Sequence, residues 1–183
     1  MQDLSPPTSG ASRHFFTLRL ADPEGDLLVR RIGKLRTAMR RTLRHHRFRI
    51  DAIAVLPATI HMIWSLPPGD RDTANRIGMV KARFSRHLPP AAHRSPSQIK
   101  KGGKGIWQRG YWCQPLRNPG DLARHRALIY QSPVQAGLCK TPQDWQYSSI
   151  HRDLARGYPL PAPLGAPAPP SMPPHHESAH VSL

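Results

Sequence analysis

The sequence predicts an α+β fold of the ferredoxin-like kind: one antiparallel sheet with its helices on one face. Three observations lead there. Stretches with period-two alternation lie at residues 14–20, 48–56 and 59–66, and a fourth, shorter and interrupted, falls within 106–116. Apolar stripes with a three- or four-residue repeat separate the first stretch from the second and the third from the fourth. The resulting order of strand, helix, strand, strand, helix, strand, with one further helix, is that of split βαβ units.

The first 13 residues include Pro6, Pro7, Thr8, Ser9 and Gly10 and are expected to form a flexible arm. From His14 to Leu20, Phe16, Leu18 and Leu20 alternate with Thr17 and Arg19, as in a strand with one buried face. The turn Asp22-Pro23-Glu24-Gly25-Asp26 follows. Leu28, Ile32, Leu35, Met39 and Leu43 then mark an amphipathic helix. Its other face carries Arg30, Arg31, Lys34, Arg40, Arg41 and Arg44, either a solvated face or a phosphate-binding surface.

Phe48 to Leu56 is a second strand and Thr59 to Leu66 a third, and the short Pro57-Ala58 connection makes them a hairpin. Alternation sends Ile60, Met62, Trp64 and Leu66 to one side and Thr59, His61, Ile63 and Ser65 to the other. Thr59 and His61 therefore stand side by side, where a strand can present ligands to a cleft; a single satisfied histidine is the plainer reading.

A second helix is expected from about Asp72 to His87, with Ile77, Val80, Phe84 and Leu88 inward and Arg76, Lys81, Arg83 and Arg86 around them. The aperiodic stretch from Pro89 to Gly105 reads either as a flexible phosphate clamp carrying Lys100, Lys101 and Lys104 or as an ordinary connector. Trp107, Tyr111 and Trp112 follow it, and aromatics among basic residues suit base stacking. Asn118-Pro119 caps a third helix, expected to run to about Gln131, where Ser132-Pro133 interrupts it. A small closing helix is expected within 143–157, so that residues 14–157 make one domain. Residues 158–183 are rich in proline and are expected to be a disordered tail.

Lys and Arg total 27 against 11 Asp and Glu, a formal charge of +16 in 183 residues, which points to a polyanionic partner, nucleic acid first. No apolar run is long enough to span a bilayer, and the first residues lack the apolar core of a signal peptide. A cytoplasmic location is the expectation. Cys113 and Cys139 are too few for a disulfide framework and fit a reduced compartment.

Between Phe15 and about Gly157 the chain resembles the REP-associated tyrosine transposases, single-strand DNA enzymes of the HUH group. The resemblance rests on Phe15-Phe16-Thr17, Leu27-Leu28-Val29, Val55-Leu56-Pro57 through His61 to Ile63-Trp64, and Leu66-Pro67-Pro68-Gly69-Asp70. It continues through Phe84-Ser85-Arg86, Gly105-Ile106-Trp107-Gln108-Arg109, Pro133-Val134 with Gly137-Leu138, and Asp144-Trp145 with Tyr147-Ser148-Ser149. It implies a ferredoxin-like domain that recognises single-stranded DNA hairpins; the basic residues Arg83, Arg86, Lys100, Lys101, Lys104 and Arg109 are the expected DNA contacts. It also implies cleavage by a tyrosine nucleophile, assisted by a divalent metal, Mg²⁺ or Mn²⁺, held by two histidines on the third strand and a polar residue on the tyrosine helix.

The chain departs from that pattern at its chemistry. Thr59 stands where the resemblance calls for the first histidine, leaving His61 alone; Leu128 takes the place of the tyrosine and Ser132 that of the asparagine one turn on. Tyr130 is the alternative nucleophile, but two helical residues turn a side chain by about 200°, which sets it with Ala123, Ala127 and Val134 on the face opposite Leu128. Three readings follow: a hairpin-binding protein with cleavage impaired or lost, an active transposase using Tyr130 with a reduced metal site at His61, or a basic nucleic-acid-binding module without sequence preference.

Overall fold

The computed structural model describes residues 11–158, so the tail expected from residue 158 and nearly all of the amino-terminal arm lie outside the described residues. Four strands, β1 (Ser12–Arg19), β2 (Arg49–Val55), β3 (Thr59–Leu66) and β4 (Trp112–Leu116), form one antiparallel sheet in the order β2-β3-β1-β4. This is the order that split βαβ units require. The interrupted character of the last strand is also present: Leu20 bridges Trp107 in isolation before regular pairing resumes at Trp112.

Among the described residues six helices accompany the sheet: α1 (Leu27–Arg30), α2 (Ile32–His45), α3 (Thr73–Ser85), α4 (Pro96–Lys100), α5 (Pro119–Gln135) and α6 (Ile150–Leu154). The two crossover helices α2 and α3 share one face, as the periodicity predicts. Leu35, Met39, Ile77, Val80 and Phe84 meet Phe16, Leu18, Ile60, Met62 and Trp64 there, all buried. The further helix α5 packs on the opposite face, where Ile129, Tyr130 and Ile150 close a second, smaller core over Phe15, Ala52, Ala54 and Ile63. The alternation of β3 thus serves two cores at once.

Several local features differ from the sequence expectation. Arg76, expected around the apolar stripe, is buried between Asp70, the Asp72 carbonyl and the Arg47 carbonyl, and so ties α3 to the segments before β2 and after β3 at the open end of the hairpin. The Pro89–Gly105 stretch contains α4, started by a capping box in which Ser95 and Gln98 satisfy each other's backbone N–H groups. Gln143–Gly157 holds a 3-10 turn (Pro142–Asp144) and α6 rather than one helix. Finally, α5 passes through Pro133 without stopping. Proline cannot donate to the carbonyl of Ile129, and the Ser132 hydroxyl does so instead at 2.7 Å. The serine repairs the break.

Candidate nucleic-acid cleft

The strand register fixes the floor of the site. On the α5 face, Trp112 pairs across to Thr17 and Thr17 to His61, making a row of three side chains over adjacent strands; Gln114, Phe15 and Ile63 form the next row. β4 is an edge strand, which leaves Trp112 43% exposed. Of the three aromatic residues that sequence reasoning offered for stacking, only this one is open to solvent: Trp107 and Tyr111 pack against the first core, with Lys81 lying over both rings.

His61 is held on two sides. Its Nδ1 shares a hydrogen bond with the Thr17 hydroxyl at 2.9 Å, and the Phe15 ring stacks on it with centroids 6.0 Å apart and planes 8° from parallel. Burial, followed by the Arg19 charge, pushes its pKa down to about 4, so the imidazole is neutral at pH 7. Beyond Phe15 lies His125 of α5, whose ring centroid is 5.0 Å from the phenyl and whose Nδ1 contacts the Asp121 carbonyl at 2.8 Å. Sequence reasoning placed His125 on the polar face with Leu128 but gave it no role. Its three-residue offset from Leu128 was the available signal.

The depressed pKa has a measurable consequence. Between pH 6.5 and about 4 the unfolded imidazole takes up a proton that the folded one refuses, so stability is full above pH 6.5 and falls as the pH drops through that window. His61→Gln is expected to flatten the fall by up to about 3 kcal/mol, read from urea titrations at pH 7 and pH 4.5.

The other positions around the expected chemistry are inert or engaged. Leu128 is partly buried against the second core, and Ser132 is committed to the Ile129 carbonyl. Tyr130 is 2% exposed, and its hydroxyl donates to the Asp153 carboxylate and lies 3.1 Å from the Ser149 hydroxyl. Burial and then the Asp153 hydrogen bond push its pKa up to about 12. This phenol lies in the core between α5 and α6, whereas the row at His61 lies over β1 and β3.

A divalent ion does not fit the donors present. His61 offers a single imidazole, and Thr59 and Ser132 offer only neutral hydroxyls, which are poor ligands for most divalent ions. Among the described residues no three His, Cys, Asp or Glu side chains cluster in a way that could hold a metal.

The basic residues expected to touch DNA are distributed over several elements. Lys104 donates to the carbonyls of Ser85, Arg86 and Leu88, so it caps the C-terminal end of α3 instead of forming part of a flexible clamp. Arg83 donates to the Thr42 hydroxyl at 3.0 Å, and Arg86 lines the same groove between α2 and α3. Lys100 and Lys101 are exposed at the end of α4, and Arg109 is exposed in the loop before β4.

No helix among the described residues is long and apolar enough to cross a membrane. No family model matches the chain. The REP-associated tyrosine transposase of Escherichia coli K12 is 37% identical over 147 residues, covering 80% of this chain and 81% of that protein. A Haemophilus influenzae relative of the same description is 38% identical over 142 residues, covering 77% and 81%. A solved structure of a REP-associated tyrosine transposase bound to a REP hairpin superposes with a TM-score of 0.72 at 34% identity, over 88% of this chain and 90% of that one. Identity at this level over most of both chains, with the fold shared as well, places this chain in the REP-associated tyrosine transposase family.

Proposed function

We propose that this chain binds REP-type DNA hairpins and no longer performs the cleavage chemistry that the family name denotes. The observation that carries the reading is the contrast within one cleft. The sheet and α5 are kept as in the hairpin-bound relative's fold, while Leu128, Ser132 and the Thr17-bound His61 stand where the resemblance expects the nucleophile and the metal ligands. Two features support binding. The hairpin-bound relative aligns over most of the chain, and Trp112 offers an exposed aromatic face at the edge of the His61 row, suited to stacking an unpaired base. The net charge of +16 supplies the sequence-independent part of the affinity.

The test is a comparison of affinities at matched salt for a REP hairpin and a scrambled hairpin of equal length. A preference of at least tenfold for the repeat is expected, since contacts to the hairpin and its flanking bases add to the phosphate term. Equal affinity would replace this reading by that of a basic module without sequence preference.

A further inference from the structure

On the sheet face away from His61, α2 and α3 enclose an open groove of about 600 Å³. Lys34, Arg41, Arg44, Arg83, Arg86 and His87 line it, and no Asp or Glu does. Neither helix contains an acidic residue, so no carboxylate a turn away offsets this charge. Arg83 is fixed by its hydrogen bond across to Thr42 of α2, which holds one guanidinium in place before any ligand arrives. Lys34, Arg41, Arg44 and Arg86 make no ion pair with a carboxylate among the described residues. Unpaired cations this close together repel one another, and a polyanion relieves that repulsion.

The groove offers little to grip an apolar partner, and the imidazoles of His45 and His87 are the only rings besides Phe84 among the described residues that line it. Phe84, the aromatic residue lining it, is 1% exposed, and the exposed large hydrophobic residues of the described chain, Ile99, Trp112 and Tyr158, lie elsewhere. Surfaces that hold unpaired strands offer stacking platforms. A duplex presents its phosphates outward and its bases inward, which is what a cationic groove without an exposed Phe, Tyr or Trp ring can hold.

We propose that the α2–α3 groove is a second DNA-binding surface, specific for the phosphodiester backbone of a base-paired stem and separate from the cleft at His61. The proposal rests on the hairpin-binding reading and assigns its two parts: the stem to the groove, the unpaired flank to the Trp112 side of the sheet.

The experiment measures salt dependence of affinity for a blunt duplex and for an unstructured single strand, using the full chain, Arg41→Ala/Arg44→Ala, and the matched-charge control Lys140→Ala/Arg156→Ala. The groove variant is expected to make the duplex log–log salt slope shallower by about 1.8, or about 0.9 for each phosphate no longer neutralised, with the single-strand slope unchanged. An unchanged duplex slope overturns the proposal, as does an equal loss on single strands or in the control pair, either of which would mark a global charge effect. If the unmodified chain fails to prefer a repeat hairpin over a scrambled one, the hairpin-binding reading fails alone. The duplex measurements still decide the groove.

Discussion

Asp153→Ala is expected to lower the stability of the folded chain by about 3 kcal/mol, and the melting temperature by about 6–12 °C, while leaving DNA affinity within twofold. The carboxylate is 4% exposed and accepts from the Tyr130 hydroxyl and from Arg152 at 2.9 Å, with Arg126 at 3.4 Å. Arg152 in turn donates to the carbonyls of Ile50 and Asp51, where the pairing of β2 with β3 is irregular, so the loss is felt in the sheet as well as between α5 and α6. Both arginines retain some access to water, which keeps the cost near the low end for a broken buried pair. Tyr130→Phe removes one donor and leaves Asp153 its two arginines; about 1 kcal/mol is expected, by chemical denaturation.

The groove at α2–α3 and the network at Asp153 show why some of this molecule is legible in its sequence and some is not. Local periodicity was enough for β3, because alternate residues there face two different cores, and for α2, whose apolar stripe at Leu35 and Met39 repeats at helical spacing. The face on which α5 docks was not legible, since nothing local to Pro119–Gln135 specifies which side of a sheet lies vacant. Arg76, Lys104 and Ser132 are misleading for a shared reason. Each is polar and looks like surface, yet each satisfies backbone carbonyls: Arg76 and Lys104 reach ones distant in the chain, and Ser132 reaches the one that Pro133 leaves open a turn back in its own helix.

The site was legible in the negative. Substitutions at 59, 128 and 132 could be read directly. The partners that now hold the substituted positions could not. Thr17 meets His61 only because β1 and β3 pair in one register, and Phe15 reaches both His61 and His125 only because α5 crosses above it. Such contacts depend on residues 44 or more positions apart in the chain and leave no local pattern.

The second large effect is all or none: incubated with a REP hairpin and Mg²⁺ or Mn²⁺, the chain is expected to form no covalent protein–DNA adduct. Leucine at 128 has no nucleophilic atom. The Tyr130 phenol, with its pKa pushed up to about 12, is protonated at neutral pH and donates its proton to a buried carboxylate inside the second core. Activating it would require breaking that hydrogen bond and moving the ring out from between α5 and α6. The most direct measurement is therefore a denaturing gel of the chain with a 3′-labelled hairpin, since the fragment that a phosphotyrosine link retains is the one downstream of the cut, run beside Tyr130→Phe. Two lanes equally free of shifted label are predicted; a shifted band in the unmodified chain that is absent from Tyr130→Phe would contradict the account.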